Sequence, residues 1–217
     1  MYVILTCKLI QTKIKTMKNI LHITSSTRGE ASVSTQLGNA IVSKLQAVHP
    51  GSAVATIDLE QQPVAYPDGA FTKAMFTPAE LRADDDHKAL EESDEAVSKL
   101  LVADTIIFSL PFINFGIPST LKAWLDTINR AGLTFTYSAE GPKGLLTNKK
   151  VYIALASGGI YSEGPMQAYD HAVPYLQSLL SFIGLTDITV IRAEGTSIPG
   201  IQELALEKAI EGLSVVV

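Results

Sequence analysis

From residue 18 onward the chain alternates between short apolar runs and longer segments of helical periodicity, and this alternation limits the fold more than any single motif does. Residues 18–24 and 53–59 (AVATIDL) read as strands around a first helix at 34–48, whose end Pro50 and Gly51 mark. TPAE at 77–80 offers an N-cap Thr, a Pro at the first helical position and a Glu three residues after the cap, so a helix is predicted from there to about Leu101. A buried strand, DTIIFSL at 104–110, comes next. Pro118 then opens a helix predicted over 118–130, in which Leu121, Trp124, Leu125 and Ile128 recur at i, i+3, i+4 and i+7. Strand KVYIALA (150–156), a helix near 166–183 stopped by Gly184, strand DITVIRA (187–193) and a closing helix from about 201 complete five strands alternating with five helices.

Strands joined through helices run parallel, with right-handed crossovers, and the helices cover both sheet faces. The fold class is therefore α/β, with a doubly wound parallel sheet. In such sheets ligands sit beyond the carboxyl ends of the strands, where the strand order reverses. That directs attention to the loops after the first, third and fourth strands, residues 25–34, 111–117 and 157–165.

Composition narrows the guests those loops can hold. The 217 residues suffice for one domain with a large core. A net charge of −5 with 18% charged residues argues against wide contact with a phosphate backbone, so nucleic acid is not an expected partner. Cys7, the single cysteine, excludes an internal disulfide and a multi-cysteine metal site and favours a reducing compartment. Asp84, Asp85 and Asp86 read as a solvated helix face, and no metal site is expected. No catalytic histidine is expected either: His22 lies in a strand, His49 at a helix end, His87 on a charged helix and His171 before a helix. Residues 1–16 stand apart. Their apolar run is too short to span a bilayer and lacks signal-peptide flanks, so they read as an N-terminal extension from an upstream start, with Met17 opening the domain at 17–217. A hydrophobic edge strand or a membrane-surface segment is the alternative for them.

The first loop, SSTRGEASVS, is crowded with hydroxyls and ends at a helix N-terminus, where free amides and the helix dipole favour an anion, naturally a phosphate. It has neither G-x-x-x-x-G-K-[ST] nor G-x-G-x-x-G, and Arg28 is its only cation, so the cradle must consist of hydroxyls and amides. Ser and Thr are also ordinary turn and cap residues, which leaves a purely structural alternative. The second loop carries Phe112, Ile113, Asn114, Phe115 and Ile117 past a strand end, a surface suited to a planar ligand unless both phenylalanines turn into the core. The third, ASGGIYSEGP, has Gly158, Gly159 and Gly164, which let backbone lie against a ligand edge and donate N–H groups, or simply make a flexible loop.

Taken with their spacing, PFINFGIPSTLKAWLDTINRAGLTFTYSAEGPKGL, ASGGIYSEGP and LLSFIGLTDITVIRAEG resemble the FMN-dependent NADH:quinone oxidoreductases known as azoreductases, over nearly the whole chain from Met17. The resemblance implies a flavodoxin-like fold, three layers around a five-stranded sheet of order 2-1-3-4-5. It also implies a homodimer, noncovalent FMN, NADH or NADPH as donor, quinones and azo compounds as acceptors, and a cytoplasmic location without a membrane partner. Carried over by position, Ser26, Ser32, Val33 and Ser34 would hold the FMN phosphate; Phe112, Ile113, Asn114 and Phe115 would flank the ring; Ala156, Ser157, Gly158 and Gly159 would meet its pyrimidine edge. Two positions depart from the pattern: Ile113 stands where many relatives have Tyr, and Ser157 where some have Arg. The flavin would carry the chemistry, passing a hydride through N5 in ping-pong fashion. Three other readings of the same fold are a flavodoxin-type electron carrier, a noncatalytic binding protein, and a low-molecular-weight phosphatase, for which Cys7 is misplaced.

Residues 131–146 (AGLTFTYSAEGPKGLL), with Phe135 and Tyr137 in alternation, read as a hairpin projecting beyond the sheet. Such a hairpin is marginal alone, so it is expected to pack on the helix carrying Trp124 and on a second subunit.

Overall fold

A computed structural model describes residues 18–216, and the reading of residues 1–16 as an extension lies outside them. Five parallel strands, β1 (Asn19–Thr24), β2 (Ala53–Asp58), β3 (Thr105–Pro111), β6 (Lys150–Ala156) and β7 (Asp187–Ala193), form one sheet in the order β2-β1-β3-β6-β7. This is the expected 2-1-3-4-5 order once the two hairpin strands are set aside. Those are β4 (Phe135–Ser138) and β5 (Gly141–Gly144), which pair antiparallel as the spacing of 131–146 predicts.

Alternation along the strands builds the two sides of the core. Leu21 and Ile23 of β1, Ile106, Phe108 and Leu110 of β3, and Val151, Ile153 and Leu155 of β6 share one cluster. They meet apolar faces of α3 (Asp84–Val102), α4 (Ser119–Ile128) and α5 (Ala172–Phe182), with Trp124 fully buried edge-on to Phe108, ring centroids 6.0 Å apart. The intervening residues Ile20, Ile107, Tyr152 and Ala154 pack instead with Leu37, Ile41 and Leu45 of α1 (Val33–Val48) and Ala209 of α6 (Ala205–Glu211).

The region 69–102 differs from expectation. A separate helix, α2 (Gly69–Phe76), opens on Asp68, whose side chain accepts from the Phe71 amide at 2.8 Å. Thr77 ends that helix rather than starting the next, its hydroxyl donating back to Lys73 O at 2.8 Å. Pro78 is extended, Ala79–Leu81 make one 3-10 turn, and α3 begins only at Asp84. Its acidic first turn is more than a solvated face. Asp86 is buried, accepts from the Ala83 amide at 3.1 Å and pairs with Lys73 at 2.9 Å; these bonds, Lys73 first, hold its carboxyl below the usual range. The helices after β6 and β7 are also shorter than predicted: a 3-10 turn, Pro165–Tyr169, precedes α5, and the last segment divides into α6 and α7 (Leu213–Val216).

The hairpin packs at its base on its own chain. The Phe135 ring lies 4.7 Å from that of Phe182, the Leu146 amide donates to Ile183 O, and Gly144 lies so close to Gly184 that a Cβ would come within 2.1 Å of its nitrogen. Phe135 and Leu146 also join the core cluster that holds Trp124, whose ring is edge-on to Phe108, while Tyr137 remains exposed.

Helix α1 approaches the sheet closely at Gly38, where a Cβ would stand 1.9 Å from Ser109 Oγ and 2.6 Å from His22 Nε2. Beneath it His22 is buried with Nε2 2.8 Å from Ser109 Oγ, and burial lowers its pKa to about 4. Neutral His22 in the fold against an ordinary value of 6.5 means that the unfolded chain binds more protons between those values. Stability should therefore be complete above that upper value and fall by about 3 kcal/mol as pH drops through the window toward the lower one. Urea midpoints measured at about pH 7 and about pH 4.5 check this, and His22→Gln should flatten that part of the pH dependence.

Candidate functional site

Because β1, β3 and β6 are neighbours running in one direction, the three loops singled out in the sequence leave the same edge of the sheet side by side. Ser25 continues the ladder, its amide donating to Ser109 O at 3.1 Å, and the Phe112 amide does the same to Ala156 O at 2.7 Å.

The first loop turns through a 3-10 segment, Gly29–Ala31, into α1 with Ser32 at the N-cap. A cap serine ordinarily bonds an amide of the first turn. Here it does not: the Ser32 hydroxyl stands 2.9 Å from that of Ser34, and the first helical bond is Gln36 N to Ser32 O. The amides of Val33, Ser34 and Thr35 thus find no acceptor among the described residues. Ser26, Ser32, Ser34 and Thr35 are all buried, and Thr35 Oγ1 has no hydrogen-bond partner among the described residues. Converging hydroxyls, free amides and a helix dipole suit an anion with several acceptor oxygens, which fits a terminal phosphate monoester. Arg28 lies exposed beside them.

The second loop is a two-residue reversal. Ile113 and Gly116 exchange backbone hydrogen bonds of 3.0 and 2.8 Å, and the residues between, Asn114 and Phe115, both have positive φ, 46° and 68°. Asn tolerates that region, whereas Phe does so only under constraint from its surroundings. Part of that constraint is visible in the His171 amide, which donates to Phe115 O at 3.1 Å. The reversal holds Ile113 and Phe115 outward, 46% and 43% exposed, so neither Phe115 nor Ile113 turns into the core, while Phe112 is half buried against it. The reversal rests on backbone pairing, so Ile113 serves it without a tyrosine hydroxyl.

In the third loop Ala156 and Ser157 are buried and Gly158 and Gly159 half exposed. The carbonyls of Gly158 and Gly159 accept from the Ser197 and Gly195 amides, both at 3.1 Å. Their own amides, with that of Ile160, have no partner among the described residues and are free to donate outward. Both glycines are set by crowding rather than by φ: a Cβ on Gly158 would meet Ser197 Oγ at 2.9 Å, and one on Gly159 the Tyr161 ring at 3.1 Å. The Ser157 hydroxyl is spent on Gly159 O at 2.8 Å.

Residues not foreseen in the sequence complete the arrangement. Tyr161 lies 4.3 Å from Phe112, centroid to centroid, and Tyr169 lies 5.3 Å from Phe115, so the second and third loops share one aromatic wall. Behind it Glu194 accepts from the amides of Tyr161 and Ser162 at 2.8 and 3.0 Å and from the Ser162 hydroxyl. Arg192 bridges Glu194 to Asp170, which in turn accepts from the Ala172 and Val173 amides at the start of α5. Tyr161 lies inside the glycine motif ASGGIYSEGP, Arg192 near the end of strand DITVIRA and Glu194 just past it; what the sequence lacks is any sign that these charges face one another. The site is an open shelf: a groove of about 240 Å³ lies elsewhere, lined by Ile57, Pro63, Val64 and Trp124.

The family model described as Flavodoxin-like fold matches residues 18–216. The chain is 45% identical over 200 residues to the FMN-dependent NADH:quinone oxidoreductase of Mesorhizobium japonicum, an alignment covering 92% of this chain and 95% of that protein. A protein with the same name from Agrobacterium fabrum is 45% identical over 194 residues, covering 89% and 93%. Among solved structures, an azoreductase from Bacillus anthracis superposes with a TM-score of 0.85 at 31% identity, covering 92% of this chain and 98% of that one. An FMN-dependent NADH-azoreductase from the same species, solved in complex with FMN, gives 0.81 at 26% identity, covering 92% and 99%. These agree with the resemblance carried by the residues.

Arg192 pairs with two carboxylates whose side chains are 7% and 12% exposed. Arg192→Met should therefore lower the unfolding free energy by about 3 kcal/mol, the cost of leaving a buried charge unpaired, as read from the midpoint of a urea titration.

Proposed function

Because the chain belongs to the flavodoxin-like fold family, and within it to the FMN-dependent NADH:quinone oxidoreductases and azoreductases, we propose that it is an oxidoreductase that binds FMN and transfers electrons from NADH to quinones and azo compounds. The single observation that carries the cofactor reading is the uncapped first turn of α1, with the Ser32 and Ser34 hydroxyls 2.9 Å apart beside free amides. Ser26, Ser32, Val33 and Ser34 would hold the phosphate there. Phe112, Ile113, Asn114 and Phe115 would flank the flat ring, and Ala156, Ser157, Gly158 and Gly159 would border its pyrimidine edge. The two core clusters, one on each side of the sheet, support the doubly wound, three-layer arrangement that puts these segments at one edge.

When bound, FMN supplies a two-electron acceptor and donor at N5, which lets donor and quinone react in separate ping-pong half-reactions. The protein's own contribution is orientation and charge. The free amides of Gly158, Gly159 and Ile160 would donate to the edge where negative charge develops, and donors already fixed in place need no reorganisation to do so. The Ile113–Gly116 reversal would hold the Phe112 and Phe115 side chains beside the ring and exclude water from it. NADPH in place of NADH belongs to the same reading. No helix among the described residues is long and apolar enough to cross a membrane, and the need for NADH supports a cytoplasmic setting.

The reading includes a homodimer. Exposed Ile113, Phe115, Met166 and Tyr169 rim the shelf, and Tyr137 stands exposed on the hairpin, apolar surface that a second copy would cover. An electron carrier of the same fold would share the cofactor without the nicotinamide reaction. Anaerobic mixing with NADH separates the two: the flavin absorbance should bleach promptly for the oxidoreductase and persist for the carrier.

Cofactor released by heat should chromatograph as FMN, since the cradle offers hydroxyls and amides for one terminal phosphate and lacks the glycine fingerprint of a pyrophosphate. Ser34→Glu places a carboxylate where the phosphate is held, so the purified variant should retain about tenfold less flavin per chain by absorbance than the parent protein.

A further inference from the structure

We propose that Glu194 is a positioning residue that sets the aromatic wall of the acceptor site through Tyr161. The inference rests on the oxidoreductase reading above and extends it to residues outside the cofactor cradle.

The segment from Gly158 to Gly164 has three glycines and leaves β6 with little of its own to fix it. Residues 162–169 are exposed throughout, so apolar burial does not fix their course. What anchors the turn at Tyr161 and Ser162 is one carboxylate. Glu194 Oε1 accepts from two successive amides, those of Tyr161 and Ser162, and Oε2 from the Ser162 hydroxyl, so three donors of one turn converge on a single side chain. Glu194 is itself held. It is 12% exposed, and Arg192 reaches its Oε1 from behind at 3.4 Å while pairing with Asp170. The backbone of the same loop closes on the β7 end at Gly195 N to Gly159 O, which places the clamp one residue from the ladder.

Clamping the Tyr161 amide fixes where its ring can reach. The ring lies 4.3 Å from Phe112 at an interplanar angle of 39° and 6.4 Å from Phe115. Gly159 leaves room for it, since a Cβ there would press on Tyr161 Cε2 at 3.1 Å. A planar acceptor entering beside Phe112 must therefore stack against, or displace, a tyrosine whose backbone is tied down by Glu194. The consequence is selectivity for flat rings, expressed in acceptor KM, while the phosphate cradle on a different loop keeps its own hold on the cofactor.

The test compares Glu194→Ala, Glu194→Gln, Tyr161→Leu and the double variant Tyr161→Leu/Glu194→Ala, each purified as the FMN-loaded protein with menadione as acceptor. Glu194→Ala should raise the menadione KM about tenfold with kcat nearly unchanged, the ratio one aromatic stacking contact carries. Tyr161→Leu should do the same, and the double variant should add nothing further, since both changes remove one wall. Glu194→Gln, which keeps an amide oxygen for the Tyr161 N–H, should restore most of the parent KM. Independently of turnover, hydrogen–deuterium exchange at the Tyr161 and Ser162 amides should quicken in Glu194→Ala and not in Tyr161→Leu. An unchanged KM, additive effects in the double variant, or unaltered exchange in Glu194→Ala would overturn the inference. If the parent protein instead holds no flavin or fails to oxidise NADH, it is the oxidoreductase reading that fails.

Discussion

The arrangement depends on β3 being paired on both sides, to β1 along Ile20–Thr24 and to β6 along Lys150–Ala156, all in one direction. Parallel pairing forbids a tight turn between neighbours, so each strand must end in a loop that climbs to a helix, and all these loops leave from the same edge. With β1, β3 and β6 adjacent, three loops from distant parts of the sequence stand next to each other without any contact between them being needed to gather them. The ladder even extends into the loops, through Ser25 N to Ser109 O, Phe112 N to Ala156 O and Ser157 N to Ala193 O. The loops inherit their starting positions from the sheet.

What the loops do from there differs in physical kind. The first is shaped by helix electrostatics: α1 starts with Ser32 turned toward Ser34 rather than toward its own amides, which leaves donors pointing outward. The second is shaped by backbone strain, with Asn114 and Phe115 in the left-handed region between two reciprocal hydrogen bonds. A local cost of order 1–3 kcal/mol per residue there must be met by the rest of the fold, and it keeps two apolar side chains at the surface. The third is shaped by a charge network, Asp170–Arg192–Glu194, that substitutes for a hydrophobic anchor in a segment with almost no buried side chains. Close approach under α1, where Gly38 lies over His22 and Ser109, lets the helix N-terminus come down to the level of these loops.

Most of the fold was legible in the residues. Buried parallel strands are apolar along their whole length, so DTIIFSL and KVYIALA announce themselves, and the hairpin at 131–146 did so by alternation. The region after β2 was misread because a capping pattern is local: Thr77, Pro78 and Glu80 satisfy the N-terminal pattern, yet Thr77 is already committed to the end of α2 through Lys73 O. The Asp84–Asp86 run failed as a simple solvated face for a similar reason, since Lys73, thirteen residues away, reaches Asp86 only in the folded chain.

The sequence by itself determined the class of fold, the family with the strand order that the resemblance implies, and which three loops leave neighbouring strands at one edge of the sheet, because each of these rests on periodicity, turn chemistry or motif spacing within short stretches. Tertiary structure alone decided that Ser32 leaves its helix uncapped, that Phe115 faces outward at positive φ, that Phe135 rests on Phe182, and that Glu194 holds the turn carrying Tyr161. Each of these is a choice of partner between groups far apart in the chain. Local propensity is nearly indifferent to such choices, and only packing, which brings particular donors, acceptors and rings within a few ångströms of one another, distinguishes them.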